Sequence, residues 1–194
     1  MNTASLSATV LAVVGFKNAG KTTLIERLTP RLQAVGIRVA MVKHHMHQDA
    51  LDDPRRDTGR AAAAGVARTL LVGPCGIVDR IYNRPGAVGT IEDSLNVALR
   101  RVDDADLVFV EGFADSPLPK ILVRRSGIAG SRRIPAGPYI ATVGDAASED
   151  DCPHFDWTQI GALAEYLRRV AFASNRAQCG PAMCGCGCEQ VGTA

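Results

Sequence analysis

Long apolar runs are missing from this 194-residue chain. The longest, around Val10–Phe16, is far too short to cross a bilayer, so a helical membrane span is excluded. No basic residue precedes Lys17. Without the charged start of a secretory signal, the expected compartment is the cytoplasm. An excess of either charge is missing too. The chain carries 22 basic and 20 acidic residues, a net +2, which gives no global field for nucleic acid. Lysine is scarce, with Lys17, Lys21, Lys43 and Lys120 set against 18 arginines. Such sparing use suggests that lysine stands where a compact ammonium is needed. Cysteine is rare until the end. Cys75 and Cys152 stand alone, whereas Cys179, Cys184, Cys186 and Cys188 crowd the last sixteen residues. In a cytoplasmic chain this cluster points away from structural disulfides.

The rest of the composition is that of a globular protein, 46% hydrophobic and 22% charged. Residues 8–14 form a β-branched run that reads as a buried strand. From Lys21 the period becomes helical, with Leu24, Ile25, Leu28, Leu32 and Val35 on one face and Gly36 as the stop. Further strands are expected at 37–42, 67–73, 76–82, 106–112, 119–125 and 138–145. Helices are expected at 57–64, from Thr90, where Thr90 and Asp93 resemble a capping pair, and from near Asp156. Apolar strands alternating with amphipathic helices indicate a mostly parallel sheet covered on both faces, a three-layer α/β fold. One domain should span residues 1–173, followed by a Cys- and Gly-rich tail at 174–194.

The decisive motif is Gly15-Phe-Lys-Asn-Ala-Gly20-Lys21-Thr22, which satisfies G-x-x-x-x-G-K-[ST] between a strand and a helix. Its glycines let the backbone wrap a phosphate, and amides from Asn18 through Ala19 to Thr22 supply partial positive charge. Lys21 would reach the β- and γ-phosphates, and the Thr22 hydroxyl would complete a Mg²⁺ site. A strand-end carboxylate should join that site. Glu111, after four apolar residues and before Gly112, is the best candidate, either as a ligand or to orient water. Asp106, at the other end of the same run, is the weaker choice. No N-K-x-D motif identifies the base. Asp145 ends a late strand and is either a guanine-reading carboxylate or a turn residue.

Three of four histidines, His44, His45 and His47, follow the second strand beside Lys43. Alternation would put Lys43, His45 and His47 on one side, for a phosphate or a metal. Between Ser116 and Gly144 there is no acid, and Lys120, Arg124, Arg125, Arg132 and Arg133 suggest a positive surface for a phosphorylated ligand. The tail spacing C-x₄-C-x-C-x-C matches a preformed zinc finger poorly. Its four thiolates could still capture Zn²⁺ or Cu(I), the alternative being an oxidisable flexible tail.

The segments GFKNAGKTTLIERL, MVKHHMHQD, DTGRAAAAGVART, DLVFVEGF and PKILVRR occur here in an order that resembles the molybdopterin-guanine dinucleotide biosynthesis protein B (MobB) family. PHFDWTQIGALAEYL is similar to that family's closing helix. The resemblance runs over residues 8–172 and leaves the Cys tail unexplained. It implies a P-loop GTP-binding protein with weak GTPase activity, a homodimer, acting with a guanylyltransferase that attaches GMP to molybdopterin. Gly15 to Thr23 match the family's phosphate loop and Glu111 its strand-end acid. Lys43, His44 and Asp57 match polar residues after strand two. One departure is that Lys17 does not directly follow Gly15, so the signature-lysine variant of related ATPases is not matched. A metallochaperone GTPase, with the histidines or tail cysteines carrying the metal, and a non-hydrolytic adaptor are the rival readings.

Overall fold

The computed structural model describes residues 8–44, 53, 55–82, 90–128, 137–145 and 151–176. In chain order its elements are β1 (Thr9–Val14), α1 (Lys21–Gln33), β2 (Val39–Lys43), α2 (Asp57–Ala63), β3 (Arg68–Gly73), β4 (Gly76–Ile81), α3 (Ile91–Leu99), β5 (Leu107–Glu111), β6 (Lys120–Arg124), β7 (Tyr139–Gly144), β8 (His154–Phe155) and α4 (Ile160–Arg176). Six strands pair in the order β2-β5-β1-β6-β7-β8. Every pairing in this sheet is parallel.

The period-2 alternation of the strands sorts their side chains into two cores. Leu11 and Val13 of β1, Leu107 and Phe109 of β5, and Ile121 and Val123 of β6 pack with Leu24, Leu28 and Leu32 of α1 and Leu163 and Leu167 of α4. Their neighbours Ala12, Val14, Val108, Val110 and Leu122 face the other way, against Leu95 and Leu99 of α3. The architecture is therefore the expected three-layer α/β sandwich, with strands apolar on both faces because both are covered.

Four details depart from the sequence expectation. Val35 is exposed, because α1 ends at Gln33 and Ile37 fills the core position in its place. The last helix begins at Ile160 rather than near Asp156, since the Asp156 carboxylate and carbonyl are used to fold a turn with Thr158 and Gln159. Residues 154–155 form a short edge strand that no periodicity announced. Finally, β3 and β4 do not join the parallel sheet. They form a separate antiparallel hairpin, in register from Arg68↔Ile81 to Gly73↔Gly76. Only Pro74 and Cys75 separate them, far too few residues for a parallel crossover. Among the described residues no helix is long and apolar enough to cross a membrane.

Candidate nucleotide site

The site is built where the carboxyl ends of β1, β5 and β2 line up. Val13 and Lys43 both pair with Glu111, so three strands reach the same level one residue row below the loop. The chain then leaves β1 through Gly15 (φ 147°), where a side chain would collide with the Val123 carbonyl. Asn18 also takes a positive φ, 64°, and Ala19 is buried beneath the turn. Gly20 (φ 102°) is the residue that opens α1. No side chain caps this helix and its first turn holds no acid. Its leading amides, Lys21, Thr22 and Thr23 among them, are thus left for an external anion.

Lys21 turns back over the loop, its Nζ donating to the carbonyls of Gly15 at 3.1 Å and Phe16 at 2.8 Å. Burial holds its ammonium below the ordinary lysine value, Glu111 opposing that shift and Lys43 adding to it. Both lysines therefore lie within electrostatic reach of one carboxylate. The Thr22 hydroxyl donates to Glu111 Oε2 at 2.8 Å, and Lys43 Nζ lies 3.3 Å from Oε1. Glu111 is buried and its neighbours in β5 are apolar. Removing a lone carboxylate from water here would be costly, and these two partners offset that cost. The residue pair meets the demand of a hard cation: a hydroxyl and a carboxylate, both oxygen donors, converge beside the anion cradle. Thr22 and Glu111 therefore fit Mg²⁺.

After Glu111 the chain turns sharply through Gly112 (φ 93°) and Phe113 (φ 47°). The Phe113 ring lies 4.7 Å from the His44 ring, and the His44 amide donates to the Glu111 carbonyl at 2.9 Å. His44 is thereby placed beside the acid by main chain and stacking. Positive φ at a bulky residue is a strained choice, and nothing in the sequence marks Phe113 for it.

The other expected residues fall elsewhere. Asp57 opens α2 with a fully exposed carboxylate 3.8 Å from Arg60, and no described contact joins it to the loop. Asp145 follows β7, its two oxygens accepting from the Ser126 amide at 2.7 Å and hydroxyl at 2.8 Å. These bonds hold its carboxyl below the usual range and leave further lone pairs for a base. Asp106 sits at the amino end of β5, bound to Arg38 at 2.9 Å, at the opposite end of the strand from the phosphate loop. Lys120 belongs to no positive surface. It is buried, its Nζ donating to the Ser116 and Leu118 carbonyls at 2.6 and 3.2 Å. Arg124 is half-buried and Arg125 exposed. His45, His47, Arg132, Arg133 and the four tail cysteines lie outside the described residues. Among those that are described, no cluster of three or more His, Cys, Asp or Glu could hold a metal. A groove of about 530 Å³ at the base of the hairpin, lined by Arg68, Asp79, Val97 and Arg101, includes none of the phosphate-loop residues.

Loop, helix start, lysine, hydroxyl and strand-end acid on a parallel three-layer sheet define the class of P-loop NTPase-fold proteins. Within it, the family model described as molybdopterin guanine dinucleotide synthesis protein B (MobB) matches residues 10–145. The chain belongs to that family. It is 30% identical over 163 residues to the Escherichia coli "molybdopterin-guanine dinucleotide biosynthesis adapter protein", covering 81% of this chain and 90% of that one. With the protein of the same name from Haemophilus influenzae it shares 36% identity over 121 residues. That match takes in 60% of this chain and 63% of the relative. Among solved structures, Bacillus subtilis MobB superposes with a TM-score of 0.60 at 23% identity, over 83% of this chain and 97% of that one. This last likeness bears on the fold.

Proposed function

We propose that the chain binds GTP with Mg²⁺ and acts as a nucleotide-dependent adapter in the synthesis of molybdopterin guanine dinucleotide, in the cytoplasm. It assists a partner guanylyltransferase as that enzyme attaches GMP to molybdopterin. The observation that carries the nucleotide reading is the Thr22–Glu111–Lys43 cluster beside an uncapped helix start. The adapter reading draws on the printed names of the relatives.

In this reading the amides of Asn18 to Thr23 hold the β-phosphate and Lys21 moves from the loop carbonyls onto the β- and γ-oxygens. Thr22 and Glu111 hold Mg²⁺, which offsets charge on the terminal phosphates. Lys43, freed from Glu111, and His44 line the γ-phosphate end. Glu111 also sits where it can orient a water for slow hydrolysis. Asp145 accepts from the guanine edge.

Homodimerisation belongs to the same proposal. The hairpin β3–β4 presents Leu70, Leu71, Val72, Ile77 and Val78 to solvent, and a lone two-stranded hairpin is marginal in water. At its base Arg68 and Arg101 stand beside Asp79. A face carrying both signs around an apolar tip suits a second copy of itself.

Titration with fluorescent GTP and ATP analogues in Mg²⁺, with and without molybdopterin, tests the proposal. The expected result is a GTP preference that tightens with molybdopterin, and loss of binding in Lys21→Ala. Unchanged GTP affinity in that variant would sink the phosphate-loop assignment. Indifference to molybdopterin would sink the adapter role.

A further inference from the structure

The phosphate loop has two flanks. Toward β2 lie Glu111, Thr22 and Lys43. On the other side the sheet continues from β1 through β6 and β7 to β8, and beyond the ends of these strands stand Ser126, Asp145 and Trp157.

Trp157 is the chain's only tryptophan. It is half-buried, and its ring reaches the loop: a Cβ at Gly20 would come within 2.9 Å of the ring carbons Cζ2 and Cη2. The indole edge therefore rests on the residue that starts α1, at the rim of the anion cradle. Its position is stiff. The Asp156 amide donates to Gln159 Oε1 at 3.0 Å, and Asp156 Oδ1 accepts from the Thr158 amide at 2.6 Å, closing a turn around the tryptophan. The Arg27 guanidinium lies 5.5 Å from the ring centroid, a cation–π contact from α1. Core filling accounts for only part of this. The buried cluster is completed by Ile160, Leu163 and Leu167, and Trp157 packs at its margin.

We infer that Trp157 is the nucleoside-side wall of the site, the aromatic surface on which the base or ribose of a bound nucleoside triphosphate rests. The inference deepens the phosphate-loop reading and rests on it. With the terminal phosphate drawn toward Glu111, the nucleoside leaves on the flank of β6, β7 and β8. There Trp157 offers a flat apolar surface and Asp145 a polar one. Stacking tolerates any base, so Trp157 adds affinity while selection is left to Asp145.

Calorimetric titration of GTP, ATP and tripolyphosphate into the wild type, Trp157→Ala and Trp157→Phe tests this, together with the intrinsic fluorescence of the single tryptophan. The Ala variant should bind GTP and ATP about tenfold or more weakly, as loss of a base–aromatic stack does, and tripolyphosphate as before. Phe should recover most of the loss. Wild-type emission should change with GTP and not with tripolyphosphate. Unaltered GTP affinity in Trp157→Ala, or a parallel loss for tripolyphosphate there, overturns the inference, the second outcome marking the ring as a support for the loop. Failure of the underlying reading looks different: neither GTP nor tripolyphosphate binds the wild type.

Discussion

Glu111 joins Thr22, 89 residues away in sequence, and is joined in turn by Lys43. Replacing it with Gln keeps the size and the hydroxyl contact while removing the charge. Glu111→Gln should therefore fold and bind nucleotide, but lose the tightening that Mg²⁺ brings to the wild type, read as affinity with Mg²⁺ against affinity in chelator. These residues were legible in the sequence because a chemical rule fixes their order: glycines, lysine, hydroxyl, then an acid ending an apolar strand. Lys120 was not, since a basic run reads as surface until the loop before it is seen to close over the ammonium. Lys120→Met would strand the Ser116 and Leu118 carbonyls, costing about 2–4 kcal/mol in urea unfolding. Burial pushes this ammonium below the ordinary lysine value, Asp115 pulling the other way. The unfolded chain thus keeps its proton to higher pH. Stability from this group rises as pH climbs through the folded value toward the unfolded one, about 10.4. Lys21, lowered by burial in the same sense, adds its own share, so stability measured between pH 8 and 11 should rise less steeply in Lys120→Met than in the wild type.

Helix faces are more legible in the sequence than helix ends or strand partners. The buried face of α1 is visible as a 3.6-residue period, and the Thr90–Asp93 pair is a reciprocal capping box, the Asp93 amide donating to Thr90 Oγ1 at 3.1 Å and the Thr90 amide to Asp93 Oδ2 at 2.7 Å. Thr90→Ala should cost about 1 kcal/mol. Helix α1 carries the opposite kind of feature. Pro30 lies inside it at an exposed position, so the Glu26 carbonyl lacks its usual intrahelical donor. Pro30→Ala should stabilise the chain by about 2 kcal/mol in urea unfolding, after allowing for the freedom it returns to the unfolded state. What periodicity could not reveal was partnership. Strands β3 and β4 carry short apolar runs of their own, Leu70–Val72 and Ile77–Val78, and the two-residue connection between them is what announces a hairpin rather than a sheet strand.

At the scale of the molecule that hairpin separates two kinds of apolar surface, one covered within the chain and one left open. If a second copy covers the open one, sedimentation velocity should give a dimer for the wild type. Val72→Glu combined with Ile77→Glu, two residues paired across the hairpin, should give a monomer that still binds GTP. A dimeric double variant would move the interface elsewhere. The parallel sheet itself has another consequence. Strand β1 pairs only with β5 and β6, and Thr9 meets Leu107, which follows 98 residues later. At about 5–20 residues per second of synthesis, β1 waits on the order of 5–20 s for its first neighbour. The phosphate loop is thus made early on the ribosome and assembled late, and until β5 emerges its apolar strand is cargo for whatever chaperone meets the nascent chain.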